Sequence, residues 1–170
     1  MMTINYNPNL LQRSISKLTA FKPAAWLFSH TLHHLDRAVF KVSNGRSTAA
    51  SILTGLPIII LTTTGAKSGK VRITPLIATP HGDDLILIAS YYGSKRHPSW
   101  YHNLKVHVDC GVEWNGRPLQ PHIAREANGE EKVACWQLAT QIFPTYDIYK
   151  SRTGGREIPL MILTPKSNLA

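Results

Sequence analysis

The chain has 170 residues, which at about 150 residues per domain implies one domain with a short appendage at most. Hydrophobic residues make up 43% and charged ones only 17%, which excludes wholesale disorder and supplies a real core. With 19 Lys plus Arg against 10 Asp plus Glu, the net charge is +9, a surface that attracts nucleic acid, acidic membrane or a phosphorylated small ligand.

Two cysteines, Cys110 and Cys135, cannot make a disulfide framework and suit a reducing compartment. The opening residues are polar and interrupted by Pro8, unlike a secretory leader. The longest apolar run, Leu56 to Leu61, falls far short of the roughly 20 residues that span a bilayer. The expected location is cytoplasmic, with a peripheral position at the inner face of the cell membrane left open.

Composition shifts near Gly45 and divides the chain into an N-terminal helical segment, 1–45, and a strand-rich domain, 46–170. In the first, Phe28, Leu32, Leu35, Val39 and Val42 recur at helical spacing, with Pro23 at the start and Asn44-Gly45 as the stop. Its basic residues, among them Arg13, Lys17, Arg37 and Lys41, face a single acid, Asp36. Such a helix packs its apolar stripe on the neighbouring domain, and its basic face suits an anionic membrane.

From Pro57 the period changes to two. Ile58 to Thr64 reads as a buried strand, Gly65 to Lys70 as a turn, Arg72 to Ala78 as a second strand and Leu85 to Ala89 as a third, an antiparallel meander. Ser99 to Lys105 is a short helix and Val106 to Glu113 a strand. Asn115-Gly116 then turns the chain into Leu119 to Arg125. Asn128 and Glu131 have capping-box spacing ahead of a helix that ends before Pro144. A second helical piece, Tyr146 to Arg152, precedes the last strand, Ile158 to Leu163. Six largely antiparallel strands with few helices predict a mainly β (α+β) fold, a small barrel with helices over its openings.

Three segments carry chemistry. Gly65-Ala66-Lys67-Ser68-Gly69-Lys70 is not a P-loop, because only three residues separate Gly65 from Gly69-Lys70 and Val71 follows. Its two glycines suit an anion nest, and Lys67, Lys70 and Arg72 converge beside it. The bland alternative is an exposed charged hairpin. The loop Ser90 to Asn103 crowds cationic, polar and aromatic groups together, with Ser90 and Asn103 able to read a ligand edge and Trp100 and Tyr101 suited to the core. Phe143, Tyr146 and Tyr149, at three-residue steps, share a helical face that lines either a core or an apolar pocket.

Other chemistry finds little support. His97, His102, His107 and Cys110 cluster in sequence but straddle a predicted helix and strand, without metal-ligand spacing. No Gly-x-Ser-x-Gly elbow or Gly-x-Gly-x-x-Gly fingerprint occurs. The positive charge is scattered rather than interleaved with a stacking platform, which argues against nucleic acid.

The order of these motifs is distinctive. The run Leu61 to Lys70 with Arg72 and Thr74-Pro75-Leu76, then Ala89-Ser90 to Gly93, His97-Pro98-Ser99-Trp100-Tyr101-His102-Asn103-Leu104, the Phe-Pro-x-Tyr-x-x-Tyr stretch and Arg156 to Pro159 resemble the deazaflavin (coenzyme F420)-dependent nitroreductase and quinone reductase family. The resemblance covers about Pro57 to Pro165. It implies a split β-barrel similar to FMN-binding oxidases, with coenzyme F420 as hydride donor to a quinone, nitro compound or other conjugated acceptor. By the same resemblance, Lys67, Ser68, Gly69, Lys70 and Arg72 hold the coenzyme's phosphate and acidic tail. Pro75, Ser90, Tyr91, Trp100 and Asn103 lie along its ring and linker, and Tyr146 and Tyr149 stand on the substrate side as catalytic residues. Related split barrels are often homodimers. Ala66 stands where the family usually has Arg and Tyr91 where a small or basic residue is common, while Ile77 and Phe143 lack hydroxyls that nitro-reducing members carry. The alternatives are an FMN- or tetrapyrrole-binding split barrel and a non-enzymatic basic module on a membrane.

Overall fold

β-Branched and aliphatic residues from Ile58 to Thr64 form β1, which hairpins into β2 (Val71–His81) and then β3 (Asp84–Ile88), the expected meander. A computed structural model describes residues 55–114 and 117–168; the helical segment 1–45 and the Asn115-Gly116 turn lie outside the described residues. Beyond β3, a 3-10 turn at Tyr91–Gly93 leads to α1 (Ser99–Val106), β4 (Asp109–Trp114) and β5 (Arg117–Glu126). The helices α2 (Gly129–Ile142) and α3 (Thr145–Arg152) follow, and β6 (Leu160–Pro165) is the last strand. Among the described residues no helix is long and apolar enough to cross a membrane.

The strands close into an antiparallel barrel in the order β1-β2-β3-β6-β5-β4, with Leu61 of β1 opposite Val112 of β4 completing the ring. This is the six-stranded split-barrel architecture expected from the sequence. Alternation assigns the faces. Ile59, Leu61, Leu85, Leu87, Met161 and Leu163 fill the interior, while Ile86, Ile88, Leu160 and Ile162 point outward into a second cluster with Cys135 and Ala139 of α2 and Tyr146 and Tyr149 of α3. Strands β3 and β6 are therefore buried on both faces, which explains their unbroken apolar runs. Each such side chain contributes roughly 1.5–3 kcal/mol on burial.

Of the described helices only α1 enters the barrel interior, through Trp100 and Leu104; α2 and α3 lie against the wall made by β3 and β6. The capping box at Asn128 does not form. Asn128 Nδ2 donates to the Glu126 carbonyl, and Glu131 is drawn to the Arg125 guanidinium at 2.6–2.7 Å, a stronger attraction than a neutral backbone N–H offers.

The pairing of β2 shapes the site. It pairs with β1 from Val71 to Ile77, but with β3 only from Ala78 to His81. Among the described residues no strand pairs with the other edge of β2 between Val71 and Ile77, so the barrel wall is split there. Ser90, just past the end of β3, opens the loop that leaves that wall.

Candidate functional site

At one end of the split is the cationic turn. Gly65 is buried, and a Cβ there would lie 2.7 Å from Ser68 Oγ and 3.2 Å from the Lys70 carbonyl oxygen, so a larger residue would have to displace the Ser68 side chain and crowd that carbonyl. The turn closes on itself: Gly65 N–H donates to the Lys70 carbonyl at 2.9 Å and Gly69 N–H to the Gly65 carbonyl at 2.8 Å. Lys70 N–H donates to Ser68 Oγ at 3.3 Å. Both glycine N–H groups are thus engaged, and the expected glycine nest does not form; an anion here meets side chains.

Asn103 of α1 holds this turn. Its Oδ1 accepts from Ala66 N–H at 3.0 Å and its Nδ2 donates to Thr63 Oγ1 at 3.0 Å, with Asn103 and Thr63 both buried. The side chain that the sequence offers for a ligand edge is engaged with the cationic turn and with β1. Trp100, one helical turn earlier, sits in the barrel interior and anchors α1.

Lys67, Lys70 and Arg72 are exposed, and among the described residues none of them is in an ion pair. The paired acids lie elsewhere: Glu126 with Lys105 at 3.0 Å, Glu131 with Arg125, Asp109 with Lys166 at 2.7 Å, and Glu157 with Lys132. An unneutralised cationic cluster raises the local concentration of anions. Pro75 follows on β2, half-buried along the unpaired stretch.

Across the split, Ser90 is buried and Tyr91 exposed. Sequence reasoning assigned no role to Arg156, which holds this loop in place. Its guanidinium donates to the carbonyls of Ala89 (3.2 Å), Ser90 (2.8 Å), Ser94 (2.9 Å) and Glu157 (3.3 Å), and meets His97 Nδ1 at 3.0 Å. Because arginine is always a donor, His97 Nδ1 must accept and the ring is neutral. Burial, then Arg156 and His102, hold the His97 pKa below its ordinary value.

At the far end is the aromatic group. Phe143, Tyr146 and Tyr149 are buried together, with ring centroids 5.1 Å (Phe143–Tyr146), 6.1 Å (Phe143–Tyr149) and 6.5 Å (Tyr146–Tyr149) apart. They form a cluster although Phe143 caps α2 and the two tyrosines belong to α3. Burial, then neighbouring Tyr149 and Tyr92, push the Tyr146 pKa well above the usual phenol value, so its hydroxyl keeps its proton. The thiols offer no nucleophile: burial and Asp109 push Cys110 up to about 12, and burial raises Cys135. Among the described residues no group of three or more His, Cys, Asp or Glu is placed to hold a metal ion.

The family model described as F420H(2)-dependent quinone reductase matches residues 34–165. An F420H(2)-dependent quinone reductase of Mycobacterium tuberculosis is 33% identical over 150 residues, which cover 82% of this chain and 95% of the relative. Among solved structures, an F420-H2 dependent reductase (FDR-A) superposes with a TM-score of 0.57 at 39% identity, over 63% of this chain and 93% of its own. A second, described as a domain-swapped dimer, gives a TM-score of 0.60 at 32% identity over 84% of this chain and 99% of its own. The family model runs through all six described strands and the segments that border the split, and on it and the 33% identical relative the chain belongs to the F420H(2)-dependent quinone reductase family, a family of oxidoreductases.

Proposed function

We propose that this protein passes hydride from reduced coenzyme F420 to a quinone. The single observation that carries the reading is the exposed cationic turn, without an ion pair among the described residues, beside the stretch of β2 that no described strand pairs on its other edge, in a chain that belongs to a family named for this reaction. Bound there, the reduced deazaflavin would supply hydride, because its ring has carbon where flavin has a reactive nitrogen and so gives up electrons in pairs. Family membership favours this coenzyme over FMN, a tetrapyrrole or a purely membrane-binding role.

The chain's own residues divide the remaining work. Lys67, Lys70 and Arg72, with Ser68, grip the phosphate and acidic tail, with Arg72 suited to a two-pronged hold, while Gly69 at φ +62° lets the chain turn between them. Pro75, Ser90 and Tyr91 flank the ring along the split, while Asn103 and Trp100 serve by fixing the turn and α1. Tyr146 and Tyr149 stand on the acceptor side. As the quinone oxygen gains negative charge, their hydroxyls donate a hydrogen bond or proton to it, and burial keeps Tyr146 Oη protonated for that task. Nitro compounds and other conjugated acceptors are secondary substrates in this reading. We infer also a cytoplasmic homodimer, supported by the relative described as a domain-swapped dimer. The basic residues of the segment 1–45, among them Arg13, Lys17, Arg37 and Lys41, are the candidates for a peripheral contact with anionic lipid.

The test is anaerobic oxidation of reduced F420 followed by absorbance, with and without a quinone, in wild type and in Tyr146→Phe/Tyr149→Phe. Quinone-dependent oxidation that falls by about 100-fold in the double variant is expected, since positioned acid–base groups contribute roughly 100- to 10,000-fold. No quinone-dependent oxidation by the wild type would refute the reading, and full activity in the double variant would remove the tyrosines from it.

A further inference from the structure

Tyr146 and Tyr149 belong to α3, a helix of only eight residues. Isolated helices shorter than about 12–15 residues are marginal in water, so the place of the two rings depends on what holds α3. Its C-terminal half lies against the loop after β3. A Cβ at Gly93 would come 2.7 Å from Arg152 Cβ and 2.9 Å from the Tyr149 carbonyl oxygen. In that loop Tyr91 and Tyr92 take positive φ, +48° and +56°, a strained backbone for aromatic residues, and Arg156 ties down the carbonyls of Ser90 and Ser94 on either side. The first turn of α3, by contrast, starts without a side-chain cap, with Pro144 at the N-cap position. Its backbone closes through Tyr146 N–H donating to the Phe143 carbonyl at 3.1 Å and Asp147 N–H to the Pro144 carbonyl at 3.2 Å.

Trp136 of α2 meets that first turn, and its one indole makes three different contacts with α3. Nε1 donates to Asp147 Oδ1 at 2.9 Å, the ring centroid lies 6.3 Å from that of Tyr146, and the Lys150 ammonium sits over the ring at 5.1 Å. Asp147 and Lys150 are three residues apart and Tyr146 and Lys150 four, so all three neighbour one another on the helix. On Tyr146 the Phe143 ring also packs edge-on, with centroids 5.1 Å apart. Asp147 is exposed and Trp136 half-buried, so water can satisfy both polar groups without their bond. What the bond supplies is place: it ties the uncapped turn of α3 to the longer α2. We infer that Trp136 is a positioning residue for the hydride transfer, which by holding Asp147 fixes the first turn of α3 and with it the Tyr146 hydroxyl at the acceptor. The inference rests on the reading that Tyr146 and Tyr149 face the acceptor, and adds to it a residue that acts through another.

The test compares Trp136→Phe, which keeps a ring but loses the N–H, with Asp147→Ala, Asp147→Asn and the pair Trp136→Phe/Asp147→Ala. Oxidation of reduced F420 is followed with menadione as the quinone probe, F420 affinity is measured alongside, and spectra of carbon-13-labelled tyrosine are taken on protein without added coenzyme. Trp136→Phe and Asp147→Ala should each lower kcat about fivefold, with KM for menadione and affinity for F420 within about twofold of wild type. The pair should be no slower than either alone, because both changes break one bond. Asp147→Asn keeps a carbonyl acceptor for the indole and should hold kcat within about twofold. The Tyr146 ring signals should move in Trp136→Phe and in Asp147→Ala and stay in place in Asp147→Asn. A kcat within about twofold of wild type in Asp147→Ala, an exposed position whose change leaves the core intact, overturns the inference. So do losses that multiply to about 25-fold in the pair, or an Asp147→Asn as slow as Asp147→Ala. Wild type that oxidises no reduced F420 with the quinone overturns the functional reading beneath, a result distinguishable from an active wild type with indifferent variants.

Discussion

Two segments border the open edge of β2, and each is held by one distant polar side chain, yet the holds differ in kind. The cationic turn is fixed by a neutral amide, Asn103, from 37 and 40 residues away, and its lysines and arginine remain exposed, with no ion pair among the described residues. The loop from Ser90 to His97 is fixed by a charge, Arg156, from up to 67 residues away, and that charge is turned inward onto carbonyls and an imidazole. A neutral clamp preserves charge for a ligand. A charged clamp satisfies buried acceptors and holds strained backbone, at the cost of presenting no charge itself. The difference separates a grip, which works through electrostatics, from a wall, which works through shape.

The sharpest way to break the comparison is to remove each clamp in turn. Arg156→Gln leaves several carbonyls short of donors and should cost about 2–4 kcal/mol, given about 1–3 kcal/mol for each unsatisfied buried group and partial rescue by the shorter amide. The thermal midpoint should fall by roughly 5–12 °C on the scaling for a chain of this size, with F420 affinity reduced less than stability. Asn103→Ala should cost less in stability, about 1–2 kcal/mol, and more in F420 affinity, because the turn loses its backing. Circular dichroism melts and F420 titrations on both variants decide the matter; the reverse pattern would show that the two holds do the same job.

A smaller effect sharpens the same contrast through pH. His97 is neutral in the fold because burial, Arg156 and His102 all oppose its charging, with Glu126 opposing them weakly. Its folded pKa is lowered below 6.5, so the stability it confers is present above that value. This part is lost as pH falls below 6.5 toward the folded pKa, where the unfolded chain binds the extra proton. An NMR titration should place the His97 midpoint below 6.5 in the wild type and higher in Arg156→Gln. A wild-type midpoint at or above 6.5, or no change in the variant, would detach His97 from the clamp.

Local chemistry made much of this legible in advance. The first strand was readable to its ends because Ile58 to Thr64 is uniformly β-branched or aliphatic between Pro57 and Gly65. The second, expected over Arg72 to Ala78, runs on to His81, with Pro80 accommodated opposite Leu85. The start of β4 was placed too early because Val106 continues α1. What no local rule shows is closure: β3 beside β6, β5 beside β6 and β1 beside β4 are long-range pairings without a turn to announce them. The site divides the same way. The cationic turn was visible in composition, whereas the roles of Asn103 and Arg156 depend on partners 37 to 67 residues away, for which spacing offers no signal. Arg156 was conspicuous in the Arg-x-Ile-Pro stretch, but a lone arginine ahead of a strand does not reveal what it will bind.

The central claim is that the exposed cations of the β1–β2 turn hold an anionic coenzyme, and equilibrium titration with F420 at low salt tests it most directly. Wild type should bind saturably and lose affinity as salt is raised. Lys67→Ala/Arg72→Ala should bind about tenfold or more weakly with an unchanged melting temperature, since each charge-assisted phosphate contact is worth roughly 1.5–3 kcal/mol before solvent and salt screening reduce it. Equal affinity in the double variant, or no binding by the wild type, would contradict the account.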